Sequence, residues 1–251
     1  HALAGASAAN PATEAAATPS SSSPRTLTRE VRAQDAFEYL ASYSRAAPLP
    51  GHVVTSLPDI SELGVNGVKT RADYAAWIGN AVGIILDRLA DDCYAVFYQS
   101  DVIKDGRWLS KSHLVMTAAE TAGVHLIFHK IACIRPPDVA KSDAGGRPGY
   151  THMLCFSRTL SLDTAFFSPD VLSDRGSMAW SKAAGGAACE LVLRFIADAV
   201  NSEKSRAGRV TVVDPFCGQG TFLAAGNRLG FHAVGVERSG LRCRKAAHLL
   251  L

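Results

Sequence analysis

Val210-Thr-Val-Val-Asp214-Pro-Phe-Cys-Gly218-Gln-Gly220-Thr221 runs from an apolar, β-branched stretch straight into a loop with two glycines two residues apart, and a helical pattern follows at once. A buried strand that ends on such a loop lets the backbone approach a ligand closely and aims free N–H groups at it from the start of the helix. Glu237, seventeen residues beyond Gly220, ends the next apolar stretch, where a carboxylate can accept hydrogen bonds from both hydroxyls of a ribose. The spacing fits a ligand that contains adenosine. There is no GxxxxGKS/T run, which argues against a nucleoside triphosphate site. A nicotinamide fingerprint would carry three glycines.

The same alternation of strand and helix patterns extends outward from this loop. Arg32 to Ser44 has a weak helical pattern, broken by Pro48, Pro50 and Gly51. His52 to Thr55 is a short β-branched run that delivers Ser56-Leu57-Pro58-Asp59 at its end. Apolar spacing predicts a helix over Tyr74 to Leu89 and a strand over Cys93 to Gln99. Helices are expected at Ser112 to Ala122, Ala183 to Val200, Thr221 to Leu229 and Leu241 to Leu251. Strands are expected at Val124 to Cys133, Thr151 to Phe156, Arg209 to Val213 and Phe231 to Glu237. This order predicts an α/β fold with a mainly parallel sheet covered on both faces.

Composition sets the outer limits. A chain of 251 residues, 47% of them hydrophobic, is long enough for one domain of roughly 200 residues and a tail. Residues 1–30 are rich in Ala, Ser, Thr and Pro with few charges, a composition that cannot bury a core and reads as a disordered tail. Residues 31–50 read as a helix and linker, and residues 51–251 as the main domain. A formal net charge of +3 is too small to announce nucleic-acid binding unaided. Six cysteines lie far apart with no CxxC pair, which suggests neither a metal site nor a disulfide framework and fits an intracellular, reducing compartment. Apolar runs are interrupted well before the ~20 residues of a bilayer crossing, so no membrane partner is expected.

The loop Asp214-Pro-Phe-Cys-Gly-Gln-Gly-Thr221 resembles the Asp-Pro-Phe-x-Gly-x-Gly-Thr motif of S-adenosylmethionine-dependent amino-methyltransferases, including the DNA enzymes that methylate exocyclic amines. The resemblance implies a Rossmann-like class I methyltransferase sheet that uses S-adenosyl-L-methionine as cofactor. Asp214, Pro215, Phe216, Cys217, Gly218, Gly220 and Thr221 would wrap the methionine part, and Glu237 would hold the ribose. His52-Val-Val-Thr-Ser56-Leu57-Pro58-Asp59 is similar to the strand and Ser-Pro-Pro-Tyr element of the circularly permuted members, in which the catalytic half precedes the cofactor half. Trp180, in Met178-Ala-Trp180-Ser, lies where their cofactor-flanking segment would be. The resemblance spans about Gly51 to Leu251.

In that family the first side chain of the catalytic element and the backbone carbonyl beside its prolines accept hydrogen bonds from the target NH2. Ser56 and the carbonyl of Leu57 are the matching groups, and Ser56, Leu57, Pro58 and Asp59 form the candidate catalytic set. Two departures stand out. Leu57 replaces the first proline, and Asp59 stands where the family has an aromatic that stacks on a flipped base. A carboxylate cannot stack, but it can take a proton from a ring N–H or a different nucleophile. Gln99, Asp101 and Lys104 follow an expected strand, with Trp108, Lys111 and His113 soon after; the first three are candidate substrate residues. Arg135, Lys141, Arg147, Tyr150 and His152 form a basic segment that could meet phosphates. His125 and His129 read as structural residues of a strand.

These readings converge on methyl transfer to a nitrogen of a nucleic acid. RNA ranks ahead of DNA here, because roughly 200 folded residues leave little room for a separate target-recognition region. The alternatives are a protein or small-molecule methyltransferase, which Asp59 favours, and a non-catalytic partner subunit that keeps only the cofactor loop.

Overall fold

A computed structural model describes residues 27–64, 67–136, 148–162, 168–202 and 211–251. Its centre is an eight-stranded sheet. Read across the sheet, the order is β1 (Arg29–Arg32), β10 (His232–Val236), β9 (Thr211–Asp214), β2 (His52–Thr55), β3 (Ala95–Gln99), β7 (Tyr150–Ser157), β6 (His125–Cys133) and β8 (Val171–Leu172). Neighbours from β1 through to β3 are parallel. β7 runs antiparallel to both β3 and β6, and β8 is parallel to β6.

Helices cover both faces, as strands that are apolar on both sides require. On one face α1 (Ala36–Ala41), α3 (Arg71–Arg88) and α4 (Lys111–Thr121) bury Tyr39, Ile78, Ile85 and Val115 against Val53, Phe97 and Val213. On the other, α5 (Gly186–Ser202) and α6 (Thr221–Arg228) bury Leu193, Ile196 and Phe222 against Val54, Val96 and Val212. α7 (Gly240–His248) closes the β10 side, where Ala246 meets Leu223 and Ala233. Local chemistry starts the helices that matter for the site. The Thr70 hydroxyl accepts from Asp73 N at 3.1 Å while Asp73 Oδ2 accepts from Thr70 N at 2.8 Å, a reciprocal cap on α3. Ser110 caps α4 by accepting from His113 N.

Each expected helix and strand is found, with ends displaced by a few residues. Five elements go beyond the sequence reading: β1, β8, the short helix α2 (Ile60–Leu63), and the two strands of a hairpin, β4 (Val102–Lys104) and β5 (Arg107–Leu109). β1 corrects the domain limits. Arg29 and Glu30, placed in the tail by composition, are paired with Ala233 and Val234 in the sheet, and Tyr39 and Leu40 of the expected helix before the main domain are fully buried. The sheet therefore begins at Arg29. Its charge disguised it: an edge strand needs only one partner and tolerates charged side chains. The Arg29 guanidinium is itself committed, donating to Asn227 Oδ1 at 2.7 Å and to the Leu249 carbonyl at 2.6 Å. β1, the first strand among the described residues, thus forms the outer edge of the sheet beside β10. The tail up to residue 26 lies outside the described residues, as do Lys141 and Arg147.

Candidate active site

β2 and β9 are parallel neighbours, with His52 opposite Val212 and Val53 opposite Val213. The two loops expected to act together, Ser56 to Asp59 and Asp214 to Gly220, therefore leave the sheet side by side at its C-terminal edge. They open onto one cleft of about 600 Å³. Open α/β sheets bind ligands at such an edge.

One wall is the glycine loop. Asp214 is wholly buried, and its Oδ1 accepts from the Thr55 hydroxyl at 2.6 Å and from Phe216 N at 3.1 Å. Burial drives its carboxyl up to about 7, and the charge of Glu237 adds to this, against the opposing pull of those two donors. Phe216 meets Phe37 and Trp77 edge to face, with centroids 6.3 and 5.8 Å away. The three rings form an apolar side of the cleft. The Cys217 thiol is buried, and burial pushes it far up.

The two glycines do different work. Gly218 lies on the cleft wall at φ 54°, and a Cβ there would stand 3.6 Å from the Trp180 ring. Trp180 is fixed by its Nε1, which donates to Thr221 Oγ1 at 3.1 Å. Gly220, at φ 83°, faces away from the cleft. A Cβ on it would come within 2.9 Å of Ala246 Cα in α7, and its own N–H closes a turn onto the Cys217 carbonyl at 2.7 Å. The packing of α7 against the loop thus requires a glycine at this position.

Glu237 ends β10 with its side chain 11% exposed; Oε1 accepts from Ser239 N at 2.7 Å, and Arg242 Nη1 lies 4.0 Å from Oε2. Beside it, Asp35 caps α1 by accepting from Phe37 N at 2.8 Å and lines the same cleft.

The opposite wall is the loop after β2. Ser56 is exposed towards the cleft, while Leu57 is buried beneath it. The Pro58 carbonyl accepts from Tyr74 OH at 2.7 Å. Burial pushes that phenol far up, with Asp59 and Glu62 adding to it. Asp59 is the N-cap of α2, with Glu62 Oε2 accepting from its backbone N–H at 3.0 Å in a capping box. Lys111 reaches across from α4, and its Nζ donates to Asp59 Oδ1 at 2.6 Å.

Of the candidate substrate residues, Gln99 and Asp101 do not line this cleft. Asp101 is buried beside the hairpin, accepting from Ser112 N at 3.1 Å and Trp108 Nε1 at 3.0 Å, with His152 Nε2 at 3.4 Å. Burial pushes its carboxyl up, but these donors outweigh it and hold the group well below the usual carboxylate range. It is an anchor for the hairpin. His152, itself buried, also meets the exposed His129 of β6 at 2.8 Å, so both of its ring nitrogens lie beside protein groups. Gln99 is fully buried away from the cleft, and the Lys104 side chain lies outside the described residues. The sequence reading missed Asp35, Phe37 and Trp77 as cleft residues. Asp35 carried a signal, an acid two residues before an aromatic at a helix start, whereas Trp77 counted only as part of an apolar helix face.

The sequence matches no protein-family model and no curated protein. Solved structures do resemble it. TTHA0409 from Thermus thermophilus, described as a DNA modification methylase, is 20% identical with a TM-score of 0.62 over 87% of this chain and 93% of that one. A complex of the same protein with S-adenosyl-L-methionine also matches, with a TM-score of 0.62. PvuII DNA methyltransferase, cytosine-N4-specific, is 16% identical with a TM-score of 0.64 over 88% of this chain and 86% of that one. An M1.HpyAVI–SAM complex is 11% identical with a TM-score of 0.56 over 87% and 97%. The chain shares with these proteins a Rossmann-like class I methyltransferase fold.

Proposed function

We propose that this protein is an S-adenosylmethionine-dependent methyltransferase acting on an exocyclic amine of a nucleic acid. The observation that carries the reading is the pairing of β2 with β9, which sets Ser56 to Asp59 and Asp214 to Gly218 on opposite walls of one cleft. The residues present fit the cofactor. At Gly218 a side chain would project towards Trp180, and α6 begins three residues on, at Thr221, with no side-chain cap from Gly220, so its first N–H groups would be available to a ligand. Glu237 would hold the ribose hydroxyls. The Phe37, Trp77 and Phe216 rings, with Asp35 at their edge, would enclose an adenine. Asp214 would face the cationic end.

Bound S-adenosylmethionine supplies an electrophilic methyl group on a sulfonium, so the protein has chiefly to place an amine in line with it. Ser56 Oγ and the Leu57 carbonyl would accept the two N–H bonds of the amine, which keeps the nitrogen lone pair free for attack. The Tyr74 hydrogen bond to Pro58 and the capping box at Asp59 hold that loop in place. The Phe216 side of the cleft excludes water.

DNA now ranks ahead of RNA as the substrate. Size does not favour RNA: the chain covers 93% of TTHA0409 and 97% of M1.HpyAVI, so a chain of this length leaves as much room for target recognition as those proteins have. A tritiated-methyl transfer assay on DNA, RNA and protein fractions of a cell extract tests the reading. Label in DNA that is lost in a Ser56→Ala, Gly218→Val double variant supports it, and label confined to protein overturns it.

A further inference from the structure

We propose that Lys111 reads the substrate by donating a hydrogen bond to the ring nitrogen beside the target amine, with Asp59 as the counter-ion that aims it. The inference rests on the methyltransferase reading above.

The placement of Lys111 goes against ordinary preferences. Its side chain is only 3% exposed, a degree of burial lysine seldom reaches without a pair. It occupies the first position of α4, where the helix dipole disfavours a cation. The partner, Asp59, is 21% exposed and accepts from it at 2.6 Å. A buried ion pair of this kind is weak as a source of stability, which leaves the cleft as the reason for it.

An ammonium has three N–H donors and no acceptor. Among the described residues, Asp59 Oδ1 is its one hydrogen-bond acceptor. The remaining donors belong to a side chain that lines the cleft beside Ser56 and Pro58. Among the described residues, Glu62 of α2 and Tyr74 of α3 are titratable groups beside Asp59. Glu62 is already engaged by the Asp59 N–H, with Lys182 Nζ 3.7 Å away. A ligand in this corner therefore meets two acceptors from the Ser56 loop and a donor from Lys111. That pattern matches an amine next to an unprotonated ring nitrogen, as in N3 of cytosine or N1 of adenine, and it replaces stacking on an aromatic by an edge contact.

A cation on that ring nitrogen draws electron density from the amine, so Lys111 contributes recognition and not rate. Its removal should raise Kd and KM more than it lowers kcat. The test uses random-sequence single-stranded DNA pools, with every cytosine replaced by 3-deazacytosine or every adenine by 1-deazaadenine. Binding is read by anisotropy on protein loaded with S-adenosylhomocysteine, and methyl transfer is read separately. The wild type should bind one deaza pool about tenfold more weakly than the natural pool, which also identifies the base. Lys111→Met should bind the natural pool about tenfold more weakly and lose nothing further on that deaza pool, and Lys111→Arg should recover part of the loss. Equal wild-type affinity for all pools overturns the proposal without any variant, as does a deaza penalty that persists in Lys111→Met. Ring-nitrogen discrimination in binding with no methyl transfer to any natural pool would instead sink the methyltransferase reading and leave Lys111 as a base-reading residue.

Discussion

The Thr55 hydroxyl donates to Asp214 Oδ1 across 2.6 Å, although 159 residues separate them in the chain. Both side chains are buried, and the bond ties β2 to β9 at the point where their loops diverge. It fixes the relative position of the two cleft walls. Thr55→Val keeps the shape but removes the donor and leaves a buried carboxyl short of a partner, at a cost of about 1–3 kcal/mol. Urea denaturation should show that loss for Val and most of it restored in Thr55→Ser.

Asp214 also predicts the response to pH. Its folded value of about 7 lies above the ordinary value of 3.8, so the folded chain keeps a proton that the unfolded chain has released. This contribution is present in full below about pH 4, falls away as the pH rises towards 7, and is gone above it. Asp214→Asn should remove the effect and be the more stable form at pH 8, by on the order of 4 kcal/mol, with the difference shrinking towards pH 4. A cationic ligand favours the charged carboxyl, so cofactor affinity should rise through neutral pH with release of a proton. Calorimetric titration in two buffers of different ionisation enthalpy measures that proton, and heats independent of buffer would exclude the linkage.

The loop from Asp214 to Thr221 and the strand before Ser56 were legible because each is a local pattern, a β-branched run entering a turn. Their adjacency in the sheet followed from the permuted order. β1 was not legible: Arg29 to Arg32 reads as a solvated segment, and only β10 beside it makes it a strand. The Lys111–Asp59 pair joins segments 52 residues apart, which no spacing rule reaches. Asp101 shows the reverse failure. A carboxylate at a strand end suggested substrate contact, but its partners Trp108, Ser112 and His152 turn it inwards.

The two loop glycines should fail differently when substituted. Gly218→Val forces a β-branched residue to φ 54° and fills space beside Trp180, so cofactor binding should vanish while the melting temperature falls by a few degrees. In Gly220→Val the new Cβ meets the Ala246 backbone, and α7 must move. There the main loss should be stability, several kcal/mol by denaturation. Thermal melts and calorimetry on both variants separate the cases, and an unaltered affinity in Gly218→Val would remove that glycine from the cofactor site.

Glu237 should act chiefly on cofactor affinity. Oε1 is held by Ser239 N, so the carboxylate is already oriented. Glu237→Ala should cost about 1.5–3 kcal/mol of binding, the range for a hydrogen bond to a charged group. A loss well under that in calorimetry would place the ribose elsewhere.

Asp59 is where the chemistry of the site is decided. A general base needs an oxygen free to receive a proton from the substrate, and losing one slows a reaction about a hundredfold to ten-thousandfold. Here Oδ1 is taken by Lys111 at 2.6 Å, and the side chain also caps α2 in a reciprocal box with Glu62. Both engagements suit a counter-ion and anchor better than a proton acceptor. In Asp59→Asn the amide oxygen can still accept from Lys111, so the loop should hold its shape and the single-turnover rate should fall by only about three- to tenfold. Asp59→Ala removes both contacts and should do more damage, through Kd for the substrate as much as through rate. Single-turnover kinetics with cofactor affinity checked separately distinguishes these outcomes. A loss above about a hundredfold in Asp59→Asn, with cofactor binding and melting temperature unchanged, would restore the base and move the target from an exocyclic amine to a ring N–H.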